Sequence, residues 1–294
     1  MILTPTSWLI RLLALLPLRL LHALAVPLGW LVYLLPWKKH RVIRTNLKLC
    51  FPDLDKGKRR RLHRRHLVEL LRLSLEAGVI WHWSAERIGR HVQLDGWDPV
   101  AKAADDGQGV MLISAHLGNW ELLNLFLSIH LPLATMYRAP ENPVLDAFIT
   151  RPRQRFGARM IAGGSPALRH LLTQLKSGKA IAIAADIQPK RGDGVFVPFF
   201  DHRALTMTLA PRLAGRTGCA VILCWCERLP RGRGWKLHFQ KADKRIGEPD
   251  PVIALQPVND WLEQAIRQAP EQYLWIYKRF SRRPDGETKI YLNK

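Results

Sequence analysis

A chain of 294 residues, 48% hydrophobic and 23% charged, is long enough to bury a sizeable core, and this balance excludes intrinsic disorder as the main state. Its 45 Lys and Arg against 24 Asp and Glu leave a net charge of +21, more than solubility requires, so the surface suits a polyanion: nucleic acid, an anionic membrane or an acidic protein. The four cysteines, Cys50, Cys219, Cys224 and Cys226, have neither metal-binding C-x-x-C spacing nor the density of a secreted disulfide framework, and read as apolar fillers in a reducing compartment.

From Trp8 to Trp37 the chain is almost wholly apolar, interrupted only by Arg11, Arg19 and His22, and Leu20 to Trp37 lacks Lys, Arg, Asp and Glu altogether. Such a run is at the short end of what spans a bilayer as a helix, and Pro17 and Pro27 are placed to bend it. The apolar run resumes directly after Ala23-Leu24-Ala25 and no basic cluster precedes it, which argues against a cleaved signal peptide. Residues 38–65 then carry twelve Lys or Arg against Asp53 and Asp55, a positive-inside signature that puts the rest of the chain on the cytoplasmic side. Residues 1–37 are therefore expected to form a membrane anchor helix. Residues 38–294 are expected to form one domain on the cytoplasmic face, since no Gly-, Pro- or Ser-rich linker divides them. Removing the anchor should release the protein from membranes more than it damages the chemistry.

Between Leu62 and Arg90, the residues Leu67, Leu70, Leu71, Leu75 and Val79 recur at helical spacing, which predicts a helix. Short apolar runs predict strands at 110–114, 133–137, 160–162, 180–184 and 220–226. Helices are predicted between several of them, at 119–129, 143–156, 165–176 and 205–217. Residues 235–240, after the Pro230 to Gly234 turn, read as a late edge strand, and residues 251–268 as a helix. This alternation implies an α/β fold with a mixed, mainly parallel central sheet flanked by helices and an N-terminal membrane-associated helix. In such folds functional groups gather at the carboxyl ends of strands.

The first such junction holds Ala115-His116-Leu117-Gly118-Asn119-Trp120-Glu121, with Asn119 as the N-cap of the following helix. A residue just before a helix can meet one in its first turn, so the Glu121 carboxylate is expected to accept the His116 Nδ1–H. That would fix the tautomer and leave Nε2 as a general base. Such a dyad can deprotonate an alcohol as it attacks a thioester, without an enzyme nucleophile. No H-E-x-x-H or clustered His/Cys pattern occurs, so neither metal nor cofactor is expected. Asp186, at the end of the 180–184 strand, reads as a buried carboxylate that caps the next turn.

Ser-Ala-His116-Leu-Gly-Asn-Trp-Glu121 resembles the catalytic block of the lipid A late acyltransferases, the lauroyl/myristoyl transferases of the lysophospholipid acyltransferase superfamily. The resemblance continues through Tyr137-Arg138 with Asn142-Pro143, Arg153-Gln-Arg155-Phe-Gly, Val195 to Phe200, Ala210 to Gly218, and Gln272-Tyr-Leu-Trp275 through Arg279-Phe280 and Arg283-Pro284. It implies an inner-membrane enzyme, working on the cytoplasmic side, that moves a fatty acyl chain from acyl carrier protein to a hydroxyl of a phosphorylated glycolipid, a lipid A precursor. By the same resemblance His116 is the general base, Glu121 its orienting partner, and Arg153 a group that steadies the thioester oxyanion or a donor phosphate. Arg138, Asn142 and Asn119 are the candidate acceptor contacts. The Phe-Pro-Glu-Gly block of glycerol-lipid acyltransferases is absent, although another polar lipid acceptor remains an alternative. A different class, a membrane-tethered nucleic-acid-binding protein, is suggested by charge alone. No helix-turn-helix, zinc-finger spacing or aromatic RNA-binding signature accompanies it, so no nucleic-acid partner is expected.

Overall fold

The computed structural model describes residues 13–190 and 192–291. Its strands are β1 (Val92–Asp95), β2 (Val110–Ser114), β3 (Leu133–Tyr137), β4 (Arg159–Ala162), β5 (Ala180–Ala184), β6 (Gly194–Phe199), β7 (His202–Met207), β8 (Ala220–Arg228) and β9 (Trp235–Lys241). Its α-helices are α1 (Leu18–Leu34), α2 (Lys39–Cys50), α3 (Lys56–Ile80), α4 (Ala85–Gly89), α5 (Asp98–Asp105), α6 (Trp120–His130), α7 (Pro143–Gln154), α8 (Ser165–Lys176), α9 (Leu209–Thr217) and α10 (Pro251–Gln268). Seven strands make one sheet in the order β1-β9-β8-β2-β5-β3-β4, parallel throughout except between β8 and β9, while β6 and β7 form a separate antiparallel hairpin.

The central strand β2 is buried on both faces because helices cover both. Met111 and Ile113 join Leu171 of α8, Leu213 of α9 and Leu262 of α10 in one core cluster. Val110 and Leu112 join Leu122, Leu125 and Phe126 of α6 in the other. This is why strand 110–114 reads as a continuous apolar run rather than an alternating one.

Several expectations are corrected. The helix placed at 62–90 begins earlier, where Asp55 caps it by accepting the Lys58 N–H at 2.8 Å, so the basic run lies on α3 itself. It ends at Ile80, and α4 restarts with Ser84 as a new cap for the Arg87 N–H. The helix expected at 205–217 starts only at Leu209, because residues 202–207 pair as β7 against β6. The two-residue connection, Phe200-Asp201, has φ of +48° and +60°, the backbone of a tight hairpin turn without its usual glycine or asparagine. Strand 235–241 is interior, between β8 and β1, and not an edge. The edge on that side, β1, is short and mostly exposed, so no apolar period marks it.

Among the described residues no single helix is long and apolar enough to cross a membrane; α1 and α2 pass that test only together, as a pair bent by 97°. The part of the expected anchor at residues 1–12 lies outside the described residues. Helix α1 packs closely on α3: a Cβ on Gly29 would come within 2.8 Å of the Val68 backbone, and the Arg64 guanidinium lies 4.9 Å from the Trp30 ring. Away from this contact Leu20, Leu24, Leu28, Leu31 and Leu34 form an exposed apolar stripe.

Helix α3 also carries buried titratable groups that make the fold acid-sensitive. Burial, reinforced by the charges of His40, His66 and Arg44, holds His63 down to about 3. Burial holds His66 down to about 4 against its hydrogen bond to the Glu271 carbonyl. Unfolded imidazoles take up a proton near their ordinary 6.5 whereas these two do not, so stability should decline as pH falls below that value. Glu76 is buried, which alone would raise it, but Arg228 and His22 hold it down to about 2; its contribution is present above its ordinary 4.5 and lost below. Thermal unfolding midpoints should therefore fall steadily from about pH 6.5 downward, and a flat midpoint from about pH 7 to about pH 4 would contradict this.

Candidate active site

The site follows from strand register. β2 and β5 are parallel neighbours with Ser114 opposite Ala184, and the Ala185 N–H donates to the Ser114 carbonyl at 2.9 Å. Two residues further along each strand, His116 meets Asp186. The imidazole Nδ1 lies 2.9 Å from Asp186 Oδ1, and the His116 backbone N–H donates to Oδ2 at 3.1 Å. Asp186 is 1% exposed. Burial would raise its pKa, but the charge and the two hydrogen bonds of His116 hold it below the ordinary 3.8, so it is an ionised acceptor. Nδ1 must then carry the ring proton, and Nε2 of the neutral ring is bare.

No hydrogen bond among the described residues engages Nε2, and a quarter of the His116 side chain, 25%, stays accessible. Burial pulls the imidazole pKa down, but the Asp186 charge and hydrogen bond, with a further contribution from Glu121, outweigh it and set it above the ordinary 6.5. Trp120 packs edge-on against the ring, with centroids 4.9 Å apart.

The expected pairing of His116 with Glu121 is thus corrected: the Nδ1 partner is Asp186. Glu121, in the first turn of α6, is buried and faces α7 instead. Arg153 grips it in a fork, Nε donating to Oε2 at 2.9 Å and Nη2 to Oε1, and Trp81 Nε1 donates to Oε2 at 3.4 Å. Asp186 is buried as expected, but its carboxylate does not cap the turn that follows it: it accepts the His116 N–H across the sheet and orients the imidazole. Arg153 uses two of its three nitrogens on Glu121 and keeps Nη1 for another partner. If the two side chains work as one unit, Glu121→Gln and Arg153→Ala should each lower kcat by about 10- to 100-fold and the double variant by little more. Losses that multiply would show that they act separately.

The turn between His116 and α6 is clamped from both sides. The Gly118 N–H donates to the Gln272 carbonyl at 3.1 Å, the Leu274 N–H to the His116 carbonyl at 3.0 Å, and the Asn119 N–H to the Cys226 carbonyl at 2.9 Å. Gly118 has φ of +65°, and a Cβ there would lie 1.6 Å from the Cys226 carbonyl oxygen, so only glycine fits. Asn119 is the N-cap anticipated from the sequence, its Oδ1 accepting the Leu122 N–H at 2.9 Å. It is also fully buried, with Nδ2 donating to Glu76 at 2.8 Å. Both amide atoms are engaged, which removes Asn119 from the acceptor contacts.

Arg138 is exposed, and its side chain has no hydrogen-bond partner among the described residues. Asn142 is exposed too, but its Oδ1 caps α7 by accepting the Val144 N–H at 2.9 Å. Among the described residues no hydrogen bond, ion pair or ring contact joins either of them to His116. Among the described residues no group of three or more His, Cys, Asp or Glu is placed to hold a metal ion.

Fold and site together define an α/β protein with a carboxylate-oriented histidine at the end of a central parallel strand and a carboxylate–guanidinium pair on the adjoining helices. The chain belongs to the bacterial lipid A biosynthesis acyltransferases, the family that matches residues 6–282. It is 30% identical over 261 residues to the lipid A biosynthesis palmitoleoyltransferase of Escherichia coli (strain K12), covering 87% of this chain and 84% of that one. To the lauroyltransferase of the same strain it is 27% identical over 277 residues, 94% of this chain and 90% of the relative. To that strain's lipid A biosynthesis myristoyltransferase it is 23% identical over 255 residues, 85% and 77%.

Proposed function

We propose that this chain transfers a fatty acyl group from an acyl carrier protein thioester to a hydroxyl of a lipid A precursor, at the cytoplasmic face of the inner membrane, with His116 as general base. The observation that carries the reading is the His116 imidazole, held through Nδ1 at 2.9 Å by Asp186 with Nε2 left accessible, in a chain of this family. Nε2 takes the proton of the acceptor hydroxyl as its oxygen attacks the thioester carbonyl. The resulting oxyanion is steadied by the N–H groups of Arg153 that Glu121 does not occupy. Collapse breaks the carbon–sulfur bond, and the departing thiolate takes the proton back from the imidazolium. The Asp186 charge stabilises that imidazolium while it exists.

The exposed leucine stripe of α1 and the basic first half of α3 support adhesion to an anionic bilayer, each basic group near headgroups contributing on the order of 1 kcal/mol. The excess of positive charge suits both an acidic donor protein and a phosphorylated acceptor. The test is incubation of the purified full chain with acyl carrier protein thioesters and a lipid A precursor, followed by mass spectrometry of the lipid. A gain of one acyl chain is expected. An unmodified precursor, with acylation of a different lipid, would transfer the reading to another polar acceptor.

A further inference from the structure

Helix α1 contributes one buried imidazole. His22 is 3% exposed, and its Nε2 lies 2.5 Å from Oε1 of Glu76, itself fully buried on α3. The other Glu76 oxygen accepts Asn119 Nδ2 at 2.8 Å. Arg228, the last residue of β8, braces the carboxylate with Nε on Oε1 and Nη2 on Oε2, both at 2.6 Å, and its Nη1 reaches Glu69 at 2.8 Å. Trp235 Nε1 adds a longer contact to Oε2 at 3.4 Å.

Asn119 lies between the two halves of the proposed machinery, three residues after His116 and two before Glu121. Two hydrogen bonds, His22 to Glu76 and Glu76 to Asn119, therefore run from the N-terminal helix to the turn that joins the base to the ion pair. A buried carboxylate–guanidinium cluster is a weak source of stability, since well-packed apolar side chains can often replace it without loss. What apolar side chains cannot supply is the direction of these bonds. With His22 absent, Oε1 keeps only Arg228, whose fork on both oxygens is then unopposed from the α1 side and draws the carboxylate toward β8 and away from Asn119.

We infer that His22 is a positioning residue for acyl transfer, acting through Glu76 on Asn119 and so on the turn that carries His116. The inference rests on the acyl-transfer function proposed for this site. It also alters the role of α1: its removal takes active-site geometry with it as well as adhesion.

The test compares His22→Phe, which keeps ring volume but loses the donor, with His22→Gln, whose amide can donate to Glu76. Both are measured in the full chain, in detergent micelles with an acyl carrier protein thioester and a lipid A precursor, beside the unaltered protein. His22→Phe should lower kcat per folded molecule by about 10- to 100-fold with KM changed by less than about twofold, and His22→Gln should recover most of the loss. Unchanged kcat in His22→Phe, or no recovery in His22→Gln, would overturn the inference. Failure of His22→Phe to fold would overturn it too, by showing a need in stability rather than in positioning. Absence of transfer by the unaltered protein would instead count against the proposed function.

Discussion

His116→Ala is expected to lower acyl transfer by about 10⁴-fold or more while leaving folding and membrane association close to normal. The ring has a single strong tie to the fold, the bond from Nδ1 to Asp186, and otherwise packs edge-on against Trp120 with part of its surface in solvent. Its loss removes little packing but all of the proton transfer. Single-turnover rates with a saturating thioester donor, together with the unfolding midpoint of the same preparation, check both halves. Turnover within about tenfold of the unaltered protein would assign the base elsewhere.

Asp186→Asn is expected to be nearly as damaging, by about 10² to 10⁴-fold in kcat, for a reason visible in the geometry. The carboxylate serves two donors at once, the His116 backbone N–H at 3.1 Å and Nδ1 at 2.9 Å. An asparagine must keep its oxygen on the backbone N–H, so its NH₂ faces the ring and favours the tautomer with the proton on Nε2, where no base remains. Removing the negative charge also removes the largest influence that raises the His116 pKa, so residual activity should persist to lower pH. Wild-type kcat in Asp186→Asn, with a collapse confined to Glu121→Gln, would restore the pairing expected from the sequence.

That expectation shows where sequence reading stops. His116, Glu121 and Asn119 stand within six residues, and the strand, the turn and the helix cap between them follow from local patterns: an apolar run, a glycine and an Asx N-cap. Asp186 lies seventy residues from His116, just past the end of a strand that follows β2 only after two others and yet inserts beside it. Strand order is a non-local property, and only once β5 is known to pair with β2 does the register from Ser114 and Ala184 bring His116 and Asp186 together. The β6–β7 hairpin escapes a sequence reading for a different reason, since Phe200-Asp201 turns the chain with a bulky phenylalanine at positive φ and without the glycine that usually marks such a turn. The roles of Glu76 and Arg228 are equally silent, because a charged residue on a basic helix or at a strand end looks solvated until the fold buries it. Arg153 is singled out by resemblance, and its grip on Glu121 becomes apparent only when α6 and α7 are side by side.

The most direct test of the account is the pH dependence of kcat/KM for acyl transfer by the full chain, which reports ionisation of the free enzyme. With His116 as base and Asp186 as its partner, the rate should fall tenfold per pH unit on the acid side of one ionisation lying above the ordinary histidine value of 6.5. A rate that stays level down to the carboxylate range, near the ordinary 4.5 of a glutamate, would contradict it.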